Sequence, residues 1–412
     1  DSRTDLLVRY HSLCRALSYG LGVSGPTWVV TTACSSSTVA LAVALELIAH
    51  GVVHTVLVGG TDAMCLTTMS GFNALKATST EKVAPFSTPT GLNLGEGAAF
   101  WVVEEASTAT GRKAPIEGEL LGYALTADAH HPTAPDPRGD GAYRTMKQAL
   151  ERAGVSISGL GCINAHGTGT EANDRIESKA ISKLTGSASV PVYSVKSQVG
   201  HCLGAAGIIE ATAGLVSMQS GIIPATINFS ESRPGCNLDY VKNTPREAEY
   251  RRFLSCNYAF GGNNAGVVVG LFQANHIPAK KESCPPLRTV LTGGSAVTSL
   301  GLGVDALLSA LRAGRRGLVP VKERIAEPVK VRLAGLVPEF QGQEIDRRLN
   351  LRSMNGIGRY ATAAARLALG EAGIRVGPRE GLDTGVVNGV YIGPDEDAHM
   401  RAVASSNGAE AD

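Results

Sequence analysis

Between Thr27 and Gly60 the chain reads as strand, helix, strand, and the central helix has almost no polar side. Thr27-Trp-Val-Val-Thr-Thr is a short β-branched run, Ser37-Thr-Val-Ala-Leu-Ala-Val-Ala-Leu-Glu-Leu-Ile-Ala-His is rich in Ala and Leu, and Thr55-Val-Leu-Val-Gly-Gly is β-branched again. A helix lying on a surface keeps a polar face. Val39 to Ile48 does not, so it has to sit between two other layers. This requirement points to an α/β protein of stacked layers. The same alternation recurs after Gly118 and after Arg288. Leu160-Gly-Cys-Ile-Asn reads as the end of a strand, Asp174 to Leu184 as a helix, and Ile357 to Ala372 as an Ala-rich amphipathic helix closing near Gly373.

Composition excludes several classes. The 412 residues carry 38 Lys+Arg against 37 Asp+Glu, a net charge of +1, with 43% hydrophobic and 18% charged residues. A disordered chain would be less apolar, and a protein held on nucleic acid by phosphate neutralisation would be basic. No window approaches the roughly 18 apolar residues of a membrane span. The start, Asp1-Ser-Arg-Thr-Asp, has neither an initiator Met nor a signal-peptide pattern, so a soluble globular protein is expected, and the scattered cysteines make the cytoplasm the expected compartment. The eight cysteines (Cys14, Cys34, Cys65, Cys162, Cys202, Cys236, Cys256 and Cys284) form no CxxC pair and no cluster at zinc spacing, as for reduced thiols without a metal. The 49 glycines imply many tight turns and close backbone approaches.

Three residues stand out chemically. Cys34, in Thr31-Thr-Ala-Cys-Ser-Ser-Ser, lies where a strand ends and the buried helix begins. Backbone N–H groups and the helix dipole there are expected to stabilise a thiolate and later to hold an oxyanion. His166, in Asn164-Ala-His-Gly-Thr-Gly-Thr, and His201, in Val199-Gly-His-Cys-Leu-Gly-Ala-Ala-Gly, both sit among glycines that let a substrate approach the backbone. One such His could be structural; two, with a Cys at a helix start, suggest covalent catalysis assisted by imidazole donors. His130-His131 has no third ligand at metal-site spacing and reads as a solvated loop. Gly91-Leu-Asn-Leu-Gly-Glu-Gly and Phe260-Gly-Gly-Asn-Asn-Ala-Gly lack the strand–helix context and the Lys-Ser/Thr of nucleotide loops.

Together, Thr32-Ala-Cys-Ser-Ser-Ser, Asn164-Ala-His-Gly-Thr-Gly-Thr, Val195-Lys-Ser-Gln-Val-Gly-His-Cys-Leu-Gly-Ala-Ala-Gly and Asn257-Tyr-Ala-Phe-Gly-Gly-Asn-Asn resemble the β-ketoacyl-acyl-carrier-protein synthases, most closely the stand-alone type II elongating enzymes. The resemblance implies a thiolase-like, five-layered αβαβα fold of two pseudo-repeated halves. It implies decarboxylative Claisen condensation of a Cys34-bound acyl group with malonyl-carrier protein, in fatty acid, polyene or polyketide elongation. By the same resemblance His166 and His201 assist decarboxylation and Lys196 and Glu210 give polar support. Thr168 and Thr170 contact the pantetheine arm, Phe260 is a gatekeeping aromatic, and Asp174 is an acidic substrate-side position. An acyl carrier protein and a homodimer, or a heterodimer with a ketosynthase-like partner, are implied. No cofactor is implied beyond the substrate's phosphopantetheine. The alternatives are a catalytically silent chain-length partner, which would lack the nucleophile, and a non-decarboxylating thiolase or acyltransferase, which would lack the paired His motifs.

Two features depart from the family pattern. Pro85-Phe-Ser-Thr-Pro-Thr-Gly replaces the family's Arg-Asp-Gly turn. Leu287-Arg-Thr-Val-Leu-Thr-Gly-Gly-Ser-Ala-Val-Thr-Ser-Leu-Gly looks like a synthase N-terminus yet follows the last motif. Joining Asp412 to Asp1 in thought restores the family's spacing ahead of Cys34, so one synthase in circularly permuted order is expected. Its first half comprises residues 1–108 and 287–412, and its second half residues 109–272. A Pro-containing linker occupies 273–286, and Val403 to Asp412 is an exposed tail.

Overall fold

The computed structural model describes residues 11–128, 130, 131, 133–273, 289–320, 332–347, 351, 354, 356–375 and 384–389; the expected linker beyond Gln273 and the expected tail lie outside them. The chain opens with α1 (His11–Leu21), β1 (Thr27–Val30), α2 (Ser36–Ala49), β2 (Thr55–Asp62), α3 (Leu66–Ala74), β3 (Gly97–Glu105) and α4 (Ala106–Gly111). It continues with β4 (Gly118–Ala127), α5 (Asp140–Ala153), β5 (Cys162–Asn164), α6 (Glu171–Thr185), β6 (Val192–Tyr193), α7 (Lys196–Val199) and α8 (Ala206–Gln219). A small ribbon of β7 (Ile222–Ile223) and β8 (Arg246–Glu247) precedes β9 (Arg252–Ala259) and β10 (Asn263–Gly270). Last come β11 (Thr289–Thr298), β12 (Gly301–Leu302), α9 (Gly303–Arg312), the ribbon β13 (Leu318–Pro320) and β14 (Leu333–Gly335), α10 (Gly356–Glu371) and β15 (Thr384–Gly389).

The large sheet has the order β1-β15-β2-β3-β11-β4-β10-β9-β5-β6, with β12 attached to β11. It divides between β11 and β4 into two matching halves. From its outer edge, each half runs through two parallel pairings and then two antiparallel ones: β1, β15, β2, β3, β11 on one side and β6, β5, β9, β10, β4 on the other. Helices α2 and α8 pack against each other and touch strands of both halves, so they lie between them. Helix α10 covers β2, β3 and β11, and α5 covers β4 and β10. This is the α/β layering that the apolar α2 requires: the first turns of α2 and nearly all of α8 are buried.

The two central helices start in the same way. Ala33–Ser35 and Leu203–Ala205 are single 3-10 turns whose first residues take φ values of 51° and 49°, and each opens a helix of 14 residues. Positive φ is unusual for residues with a Cβ and is kept only where the surroundings impose it. Between the two elbows runs β2, where a Cβ on Gly60 would stand 2.5 Å from Ser37 Cβ and 3.0 Å from the Gly204 carbonyl. Only glycine fits that approach.

Candidate active site

Hydroxyls build the elbow that carries Cys34. Ser36 Oγ accepts from Thr32 N at 2.9 Å and donates to the Ala33 carbonyl at 2.7 Å, while Ser35 Oγ donates to the Thr32 carbonyl at 2.8 Å. Ser37 Oγ accepts from Ile208 N at 3.0 Å and ties α2 to α8. The short polar run around Cys34 thus satisfies backbone groups in a turn no periodic element could accommodate.

His166 lies in the loop between β5 and α6. The Glu177 carboxylate, on α6, accepts from His166 N at 2.7 Å and Gly167 N at 2.8 Å, and Asp174 accepts from Gly169 N at 3.1 Å. Lys196 donates to the His166 carbonyl at 2.5 Å, sits 3.4 Å from His166 Nδ1, and pairs with Glu210. Asn257 donates to Glu210 Oε2 at 2.9 Å and accepts from Thr38 Oγ1 at 2.5 Å. His201 is held by its backbone: its N–H donates to Asn93 O at 2.7 Å and its carbonyl accepts from Gly95 N at 3.0 Å. Among the described residues neither nitrogen of its ring has a hydrogen-bond partner, although the ring is buried. The His166 and His201 rings meet edge to face at 5.5 Å.

Cys34, His166 and His201 line one cavity of about 410 Å³, together with Thr168, Thr170 and Phe260. Thr168 and Thr170 hydroxyls stand 2.9 Å apart, and Phe260 stacks on Phe72 at 5.5 Å. The apolar wall behind Cys34 comes from Met69, Phe72, Leu92 and Leu94, and from Ala334 and Leu336 on the far segment of the chain. Both imidazoles are held well below their ordinary pKa, His166 by burial, then the Lys196 charge, then His201, and His201 by burial and then Lys196. They are neutral near pH 7 and can donate to a developing negative oxygen.

Three expectations change. The helix start was expected to stabilise the Cys34 thiolate, but burial pushes this thiol up to about 12, outweighing the opposing Lys196 charge. Cys34 therefore rests as a thiol near pH 7. Asp174 does not line the cavity. It is fully buried, accepts from Phe86 N at 2.6 Å and from Arg233 at 2.8 Å, and so clamps the His166 loop instead of facing substrate. His131, read as loop, is exposed and also borders the cavity. Lys196 and Glu210 stand behind His166 and outside the lining. Among the described residues no three His, Cys, Asp or Glu side chains are grouped to hold a metal ion.

Sequence reasoning missed Glu177, Asn257, Thr38, Tyr258 and Phe72. Tyr258 lines the cavity and meets the His166 ring at 5.9 Å. Asn257 and Tyr258 fall inside a motif already singled out, while Glu177 and Thr38 look like ordinary helix residues.

Residues 9–109 match the Beta-ketoacyl synthase N-terminal domain family and residues 117–230 the Beta-ketoacyl synthase C-terminal domain family. The chain is 40% identical over 253 residues to Nodulation protein E of Rhizobium meliloti, a match covering 60% of this chain and 63% of that protein. Among solved structures it resembles the ishigamide ketosynthase/chain length factor, with 40% identity, TM-score 0.57, and coverage of 59% of this chain and 60% of that one. It also resembles a type II polyketide-synthase acyl-carrier protein in complex with its ketosynthase bound to the hexaketide, with 30% identity, TM-score 0.62, and coverage of 64% and 67%. The chain thus spans less than two thirds of the length of the curated relative. With the cavity-lining Cys34, His166 and His201 falling inside these matched domains, the chain belongs to the β-ketoacyl synthase family.

Proposed function

We propose that this chain catalyses decarboxylative Claisen condensation on acyl-carrier-protein thioesters. The observation that carries the reading is a buried thiol and two buried, neutral imidazoles lining a single cavity. Cys34 sulfur attacks the acyl thioester, the carrier thiol leaves, and the Cys34 proton passes out with it; N–H groups at Cys34 and Phe260 receive the oxyanion. Malonyl-carrier protein then enters and loses CO2. Its thioester oxygen takes the enolate charge against the His166 and His201 N–H groups, and the enolate carbon attacks the acyl carbonyl, releasing Cys34. Thr168 and Thr170 hydroxyls suit the amides of a pantetheine arm. The thioester itself activates the acyl group, so the reading calls on phosphopantetheine as part of the substrate and on no separate cofactor.

The reading includes a carrier-protein partner, as in the hexaketide-bound ketosynthase, and pairing with a second ketosynthase-like chain, as in the ketosynthase/chain length factor. A reduced Cys34 suits a cytoplasmic setting. No helix among the described residues is long and apolar enough to cross a membrane, and the seven described cysteines are free. Residues 289–389 are read as part of the same synthase as residues 11–273. This is supported by β11 and β15 lying inside the first half-sheet and by Ala334 and Leu336 standing in the Cys34 wall.

The test is an intact-mass measurement before and after incubation with an acyl-carrier protein, alongside release of labelled CO2 from malonyl-carrier protein. One acyl adduct, lost in Cys34→Ala, together with CO2 release is expected. An adduct without CO2 release would mean a non-decarboxylating acyltransferase, and neither would mean a silent partner subunit.

A further inference from the structure

The core of the site leaves one group unexplained: a neutral amide buried among charges. Asn257, on β9, is fully buried and touches three elements at once. Its Oδ1 accepts from Thr38 Oγ1 at 2.5 Å, in the first turns of α2 just after Cys34. Its Nδ2 donates to Glu210 Oε2 at 2.9 Å on α8 and stands 3.4 Å from His166 Nδ1. The chemistry of these partners fixes which way the amide points. A carboxylate can only accept, so the NH2 must face Glu210, and the oxygen is left for the threonine hydroxyl.

That orientation decides the state of His166. The two groups 3.4 Å from Nδ1 are Lys196 Nζ and Asn257 Nδ2, and both are donors. Nδ1 must therefore be the lone-pair nitrogen, and the imidazole proton is forced onto Nε2. Lys196 gives two of its three N–H groups to Glu210 and the His166 carbonyl, so one Lys196 proton and the second Asn257 amide proton face Nδ1 together. Resting on the reading of the site as a condensing centre, we propose that Asn257 is a positioning residue that fixes the Nε2–H tautomer of His166 and, through Thr38, ties that imidazole to the helix carrying Cys34. The amide connects the group that receives the enolate charge to the element that aims the nucleophile, so neither can shift without the other.

The groups facing His166 are Lys196 on α7, Glu210 on α8, Glu177 on α6, Tyr258 on β9, His201 in the α7–α8 connection and Cys34 in the elbow. Asn257→Asp keeps the shape but removes the N–H. Its carboxylate next to Nδ1 draws a proton there and raises the imidazole pKa, so the neutral Nε2–H form is lost from the acid side. The expected result is a fall of about 10²-fold in kcat for CO2 release, with KM for malonyl-carrier protein within a factor of about two. The acid limb of the pH–rate profile should move to higher pH. Thr38→Val, which releases Oδ1 and frees the amide to turn, should lower kcat in the same direction by roughly 3–10-fold, with Thr38→Ser restoring it.

Wild-type release of CO2 with unaltered rates and pH profiles in Asn257→Asp and Thr38→Val would overturn the assignment of Asn257 while leaving the proposed reaction standing. A loss in both variants at every pH, with the profile unshifted and no recovery in Thr38→Ser, would also overturn it in favour of a packing role. If Asn257→Asp does not fold, the Thr38 pair decides alone. No CO2 release from the wild type would overturn both the reaction and the inference.

Discussion

Gly335 should be among the least replaceable residues of the chain, although it is far in sequence from Cys34 and both histidines. An ideal Cβ built on it lies 2.3 Å from the Val199 carbonyl oxygen, 3.0 Å from Ser299 Oγ and 3.2 Å from the Val199 carbonyl carbon. Ser299 can rotate away, but the Val199 carbonyl has little freedom: a Cβ on Gly95, which pairs with Gly335, would also stand 2.3 Å from it. Gly335→Ala must therefore displace the chain at Val199 by about 1 Å, and overpacking of this kind costs about 1–3 kcal/mol. Val199 is two residues from His201, whose ring has no hydrogen bond among the described residues to hold it against such a shift. A displacement near 1 Å at a catalytic group can cost about 10²-fold in rate. The variant should show a lowered Tm and a kcat for CO2 release reduced by one to two orders of magnitude, that is about 1.4–2.7 kcal/mol of barrier. Thermal unfolding and the labelled-CO2 assay on the same preparation check this. Wild-type stability and turnover in Gly335→Ala would refute the packing of β14 against the Val199–His201 segment, and with it the inclusion of residues 289–389 in this site.

Three further outcomes follow from the same geometry. Arg233→Ala leaves the buried Asp174 carboxylate unpaired and should cost about 3–5 kcal/mol by urea unfolding. Because burial already raises Asp174 above the usual carboxylate pKa, that loss should be largest above neutrality and shrink as pH falls towards the unfolded value near 4. Burial pushes Glu177 up to about 7, so its protonated form favours folding: this contribution is present below about pH 4 and lost as pH rises through 7. The stability difference between Glu177→Gln and wild type should therefore change across pH 4–8 in favour of the variant, and a flat difference would contradict it. Phe72→Ala opens the wall beside Cys34 and removes the stack on Phe260; it should destabilise by about 3 kcal/mol and shift acylation towards longer acyl chains in a competition of carrier-bound substrates.

What the sequence made legible follows from where its constraints are local. The all-round apolar α2 could be placed because its burial is a property of the segment itself, and β1 and β2 follow from short β-branched runs. Helix α6 begins at Glu171, three residues before the start expected at Asp174, because Glu171, Ala172 and Asn173 carry no apolar period. Of its buried acids Asp174 was expected to face substrate and Glu177 was not singled out, because their partners in the loops at Phe86, Gly167 and Arg233 are brought to them only by the fold. The Pro85 to Gly91 departure is filled in the same long-range way: Phe86 is buried against Tyr240 at 4.6 Å. The thiol direction was misjudged because a helix start is visible in sequence while the depth of burial around it is not.

The halves of the sheet meet between β11 and β4. The last strand before the expected linker and the first after it end on the same residue: Gly270 of β10 and Val290 of β11 both pair with Glu119 of β4, one on each side. Two such strand ends are separated by about two inter-strand spacings of ~4.8 Å. Within that frame the chemistry is unequal: the elbow of the first half carries Cys34, while the matching position of the second is Gly204, whose N–H donates to Asp62 at 3.0 Å. The close approach of β2 to this elbow is made at Gly60, and His201, just ahead of Gly204, reaches the cavity from the opposite half. The cavity is thus lined from both half-sheets, by Cys34 from one and by His166 and His201 from the other, and its shape depends on both halves being present.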